Sequence, residues 1–166
     1  MNKLFVLLVA FAAFAAPAAA ADGDVGYRDF GYDPASSTLT GSKPESKLWW
    51  NDGTWWATMF DPATADHYIH RLDLGSQTWV RTSARVDTRT SVRGDALWDG
   101  TKLYIASHVY TSGSASGYPS YLYRYSYDTV GDAYTLDAGF PARINHYTTE
   151  TLVIDKDTTG TLWATW

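Results

Sequence analysis

From residue 47 onward, short runs with an apolar or aromatic residue at every second position dominate the chain. The clearest is Tyr121-Leu122-Tyr123-Arg124-Tyr125-Ser126-Tyr127, where tyrosine holds one phase and Leu122, Arg124 and Ser126 hold the other. A period of two is the period of a strand, whose side chains point alternately to its two faces. Three stretches share one further pattern of apolar strand, Asp/Gly turn and aromatic strand. They are Leu48-Trp49-Trp50-Asn51-Asp52-Gly53-Thr54-Trp55-Trp56-Ala57, Leu97-Trp98-Asp99-Gly100-Thr101-Lys102-Leu103-Tyr104-Ile105-Ala106, and Leu152 to Asp155 followed by Gly160-Thr161-Leu162-Trp163-Ala164-Thr165. Asp-Gly between strand formers is a strong hairpin signal, because glycine accepts the positive φ that tight hairpin turns demand.

A second hairpin follows each of the first two. Tyr68 to Asp73 leads through Leu74-Gly75-Ser76-Gln77 to Thr78-Trp79-Val80, and Tyr121 to Ser126 leads through Asp128–Asp132 to Ala133-Tyr134-Thr135-Leu136. The repeating unit is therefore a meander of four short strands. Recurring at about 40 to 50 residues, such units are the blades of a β-propeller. The expected fold is all-β, a β-propeller of four-stranded antiparallel blades with about two and a half blades present: 47–83, 94–138 and an incomplete 149–166. Because an unclosed stack exposes its apolar faces, the expectation extends to further C-terminal blades of the same protein, and to instability of residues 22–166 on their own.

Residues 1–46 show none of this alternation. Lys3 supplies a charge, Leu4–Ala16 are wholly apolar, and a run of alanines follows Pro17. This is the layout of a secretory signal peptide over 1–21, cleaved near Ala20 or Ala21, with 22–46 as an N-terminal extension. The apolar core is shorter than the roughly 20 residues that span a bilayer. The sequence thus predicts secretion to the extracellular or periplasmic space, with no membrane segment in the mature form. Composition agrees with a β fold: 16% of residues are aromatic, only 19% are charged, and cysteine is absent. A net charge of −5 disfavours nucleic acid as a partner, because phosphate backbones call for Lys/Arg patches.

The strand–Asp/Gly–aromatic strand units behind a signal peptide resemble the secreted sialidase-like, Asp-box β-propellers of bacteria, which implies six blades in the full protein. Leu74-Gly75-Ser76-Gln77-Thr78-Trp79 stands where that family's Ser-x-Asp-x-Gly-x-x-Trp box would, without the Asp, and no Arg-Ile-Pro motif occurs. The resemblance therefore implies the fold and not the activity.

Within a blade, the turns after the first and third strands share one end. The connections after the second and fourth share the other, and function tends to sit on such longer connections. Asp52, Gly53, Asp99 and Gly100 accordingly read as turn residues. Aligning the first strands puts Lys47, Asp95 and Glu150 at equivalent positions. The candidate ligand-binding set is Lys47, Arg93, Asp95, Arg143, His146, Tyr147 and Glu150. Paired carboxylates near arginine suit glycosidic acid/base chemistry, a ligand site, or a structural ion-pair ring. The reading is a module that binds an extracellular ligand, a glycan or other small molecule, without assigned catalytic residues. A glycoside hydrolase completed by further blades and an adhesive surface module are the alternatives. No cofactor is expected. His67-x-x-His70 is no metal motif, since strand residues three apart face opposite ways. Trp55, Trp56, Trp98 and Trp163 are expected in the core between blades.

Overall fold

The computed structural model describes residues 43, 45–113 and 115–166. The predicted leader and nearly all of the extension lie outside the described residues. What is described is all-β, in antiparallel sheets. The first sheet is the meander β1 (Leu48–Asn51), β2 (Thr54–Asp61), β3 (Asp66–Asp73) and β4 (Thr78–Asp87), in that order. The second follows the same plan with β5 (Val92–Trp98), β6 (Lys102–Val109), β7 (Ser116–Asp128) and β8 (Ala133–Leu136). It adds β9 (Ala142–Tyr147), which also pairs with β7. A separate hairpin joins β10 (Val153–Lys156) to β11 (Leu162–Thr165). Among the described residues no helix is long and apolar enough to cross a membrane.

β8 and β9 are two halves of one outer strand. Tyr125 faces Leu136 and Leu122 faces Ala142, so β7 advances three residues while its partner takes six. The excess forms the loop between Leu136 and Ala142. The sequence pattern predicts that this unit ends near residue 138, with Arg143, His146 and Tyr147 in a connection. They sit instead on a strand. The tripeptide Gly139-Phe140-Pro141 hides this continuation, since Pro and Gly normally end strands.

The second sheet lies between the other two elements. One of its faces carries Ala96, Leu103, Ile105, Tyr123, Tyr125 and Tyr134, packed on Trp49, Trp56, Ile69 and Val86 of the first sheet. The other carries Leu97, Tyr104, Ala106 and Leu122 against Leu152, Ile154 and Ala164. The tyrosine row is thus a seam between sheets, and its hydroxyls explain why it is tyrosine rather than phenylalanine. Tyr125 donates to Arg85 O (3.0 Å), Tyr127 to Asp52 (2.9 Å), and Tyr134 accepts from Trp49 Nε1 (2.8 Å) and Asn51 (2.9 Å). A buried aromatic with a polar tip fills the seam and still satisfies its hydroxyl across it.

Trp56 is fully buried, as expected, and Trp98 packs on the seam. Trp55 and Trp163 do not belong to the core, being 42% and 61% exposed. Trp55 meets its cross-strand partner Trp50 edge to face on the outer side of the first sheet. Trp163 instead donates its indole N–H to Asp157. Alternation predicts two faces but not which of them is covered.

All five hairpin turns of the β1–β2, β3–β4, β5–β6, β7–β8 and β10–β11 type sit at one end of the sheets. Their aspartates accept turn amides: Asp73 from Ser76, Asp99 from Thr101 and Lys102, Asp128 from Val130, Asp157 from Thr159 and Thr161. This is the local side-chain-to-backbone bonding that makes Asp a turn residue. Asp52 and Gly53 have φ of 50° and 73°, the pair of positive values of a type I′ turn. Gly100 sits at φ 89° with nothing within 4 Å of where a Cβ would lie. Gly100→Val should therefore destabilise through backbone strain alone, by about 1 kcal/mol or more, in a chemical-denaturation titration. An unchanged midpoint would contradict the strain argument.

Candidate functional site

At the opposite end of the sheets, the starts of β1, β5 and β10 lie side by side. Little backbone ladder joins them. Ala96 N–H donates to Ser46 O (2.8 Å), and side chains supply further links, one carboxylate bonding to both neighbouring elements. Asp95 is 3% exposed. Its Oδ1 accepts the Ser46 N–H and its Oδ2 accepts the Ile154 N–H (2.8 Å). One side chain of the second sheet thereby holds the lead-in to the first sheet and the first strand of the hairpin. Burial pushes the Asp95 carboxyl above its ordinary value, against the pull of those two amides and of Lys47.

Around it is a network of polar groups. Lys47 donates to Glu45 (3.2 Å) and to Gly94 O. Burial pulls the Lys47 ammonium below its ordinary value, with Glu45 opposing. Glu45 Oε1 meets His108 Nε2 at 2.7 Å and also accepts the Leu152 N–H (3.4 Å). Burial alone would raise the Glu45 carboxyl, but the His108 hydrogen bond and the Lys47 charge outweigh it and hold it low. The Nδ1 of His108 lies 2.8 Å from Thr149 Oγ1 and 3.1 Å from Thr149 O, so a Glu45–His108–Thr149 relay crosses all three elements. His108 is wholly buried. Arg93 stacks its guanidinium 3.6 Å over the Tyr110 ring. Lys43 pairs with the exposed Glu150, and this hydrogen bond holds the Glu150 carboxyl low and the Lys43 ammonium high.

The seven candidates from the sequence fall in three places. Lys47, Arg93 and Asp95 are brought together beneath the surface, where Lys47 and Asp95 have their hydrogen-bonding capacity taken up within the chain. Glu150 lies at the rim, joined through Lys43 rather than to Asp95. Arg143, His146 and Tyr147 lie on β9 at the outer edge of the second sheet, and all three are exposed. Tyr147 faces Ser116 of β7, and Tyr118 stands two residues along. Both tyrosines are 51% exposed.

Sequence reasoning missed Glu45, whose position carries no periodic signal because only the tertiary fold brings it to His108. No group of three or more His, Cys, Asp or Glu able to hold a metal occurs among the described residues. His67 nevertheless sits buried between the first two sheets. Beside it Asp87 accepts from Arg89 Nε and Nη2 and from the Arg89 backbone amide, the Ser107 hydroxyl (2.7 Å) and the Tyr123 hydroxyl (3.4 Å). Burial would raise the Asp87 carboxyl; these donors outweigh it and keep it low.

Comparison with protein-family models, curated proteins and solved structures gives no match for this chain.

The two carboxylates paired by the repeat alignment should behave differently. Asp95→Ala strips two backbone amides of their acceptor and should cost about 2 kcal/mol or more. Glu150→Ala removes one exposed ion pair and should change stability by less than about 1 kcal/mol. Denaturant midpoints of both variants check this; equal losses would refute the division into buried and rim groups.

Proposed function

We propose that this chain is an exported protein of β-propeller type that recognises an extracellular glycan at the connection end of its sheets, with no residues assigned to catalysis. Export rests on the leader pattern of residues 1–21. The propeller reading rests on the packing order. Two meanders and a hairpin stack face to face, each starting on an innermost strand next to the one before it, as blades do around a channel. The resemblance to sialidase-like propellers adds to this reading at the level of fold.

The observation that carries the binding role is the exposed pair Tyr118 and Tyr147 on neighbouring strands of the connection end. Two half-exposed aromatic rings offer apolar faces with polar tips, which suits the C–H faces and hydroxyls of a sugar. His146 adjoins Tyr147 on β9, and Arg143 lies further along the same strand, opposite Tyr121. Both are exposed polar groups able to fix orientation. A hydrolase would require a free carboxylate pair, whereas both Asp95 oxygens are engaged by backbone amides.

Tyr147→Ala and Tyr118→Ala should each weaken binding to neutral and acidic oligosaccharides by about tenfold or more while leaving the melting temperature within a few degrees. Glycan-array screening followed by calorimetric titration measures this. Undiminished binding in both variants, or no binding of any oligosaccharide by the wild-type chain, would exclude the proposal.

A further inference from the structure

His67 occupies an unusual position for a titratable group. It is 7% exposed and lies on the face of β3 that meets the second sheet, next to Phe60 at a ring separation of 5.3 Å. Neither ring nitrogen has a hydrogen-bonding partner. A buried polar group without a partner costs free energy, so the ring tolerates this place only while uncharged. It borders a cavity of ≈ 10 Å³ lined also by Thr58, Val86, Asp87, Val92, Arg93, Gly94, Ile105 and Ser107, room for about one water molecule. Every strand that forms the cavity belongs to the seam between the two sheets.

The charged groups around the ring explain why a proton there would be poorly met. Asp87, its cross-strand neighbour on β4, already accepts from Arg89, Ser107 and Tyr123. Asp66 on β3 is paired with Arg85. Arg89 after β4, Arg93 on β5 and Lys47 before β1 place three cations on the same region. Thr58 and Phe60 of β2, Ser107 of β6 and Tyr123 of β7 are neutral. Desolvation therefore dominates: an imidazolium would meet two carboxylates already paired elsewhere, opposed by Lys47 and Arg89, in a space with room for about one water.

We propose that His67 is an acid-operated latch on the seam between the first two sheets: neutral, it lets them close, and protonated, it parts them. Burial lowers its proton affinity until it titrates at about 4 instead of 6.5. The sign follows from linkage. The unfolded chain takes up the proton below pH 6.5 and the folded chain does not, so stability is intact above 6.5 and is lost progressively as pH falls toward 4. The folded-to-unfolded ratio should drop by roughly two orders of magnitude over that window from this one group.

The test uses the full chain. Nuclear magnetic resonance should follow the His67 ring proton between pH 7 and 3.5, and hydrogen exchange should follow the amides of β4 and β6. The latch predicts His67 titrating below 5, with protection of both strands falling progressively as pH drops from 6.5 toward 4. In His67→Phe, which keeps a ring against Phe60 but cannot charge, that loss of protection should shift to lower pH. His67→Gln, neutral throughout, serves equally if the first variant does not fold. A His67 titration near 6.5, or seam opening at unchanged pH in the variant that folds, would overturn the proposal; the second result would place the acid response on the seam carboxylates.

Discussion

Side chains do much of the joining between neighbouring sheets, and among the first strands β1, β5 and β10 the decisive one is Asp95. Its two oxygens take the amides of Ser46 and Ile154, so the start of β1 and the start of β10 are both positioned by β5. A carboxylate suits this task because it accepts at two oxygens and is charged, which makes each bond stronger than a neutral one. The cost is burial of a charge, visible in the upward displacement of its proton affinity. Lys47 moderates that cost from one side. The Glu45–His108–Thr149 relay then repeats the same kind of linkage a layer further out.

This arrangement divides the molecule into two ends with different chemistry. At the turn end, aspartates bond to the amides of their own turns, and Asp52, Asp99 and Asp132 also meet a side chain of the neighbouring element. At the connection end, Asp87, Asp95 and Glu45 reach across sheet boundaries and serve assembly. Between the ends runs the tyrosine seam, where hydroxyls of β7 and β8 bond to the first sheet.

Much of this was legible before the structure. The Asp-Gly turns, the paired hairpins and the tyrosine alternation announced β1 to β8, since each is a local signal with a local cause. Equivalence of Lys47 and Asp95 followed from the repeat, and the two residues are neighbours. What stayed hidden depends on partners distant in sequence. Nothing around Glu45 points to His108, 63 residues away. β9 was masked by Gly139 and Pro141, and its pairing with β7 depends on a bulge that no periodicity encodes. Trp55 and Trp163 have the right spacing for a core yet face outward, because the phase of an alternating strand does not say which side another sheet covers. Asp95 and Glu150 occupy equivalent places in the repeat, but only the former lies between two strands with amides to offer.

The central claim is that Asp95 fastens three successive strands into one cooperative unit. Native-state hydrogen exchange at the amides of Ser46, Ala96 and Ile154 tests it most directly. The account predicts that all three exchange only through global unfolding, with one common free energy and one common dependence on denaturant. Exchange of the Ile154 or Ser46 amide through local fluctuations, at a free energy well below that of Ala96, would contradict it.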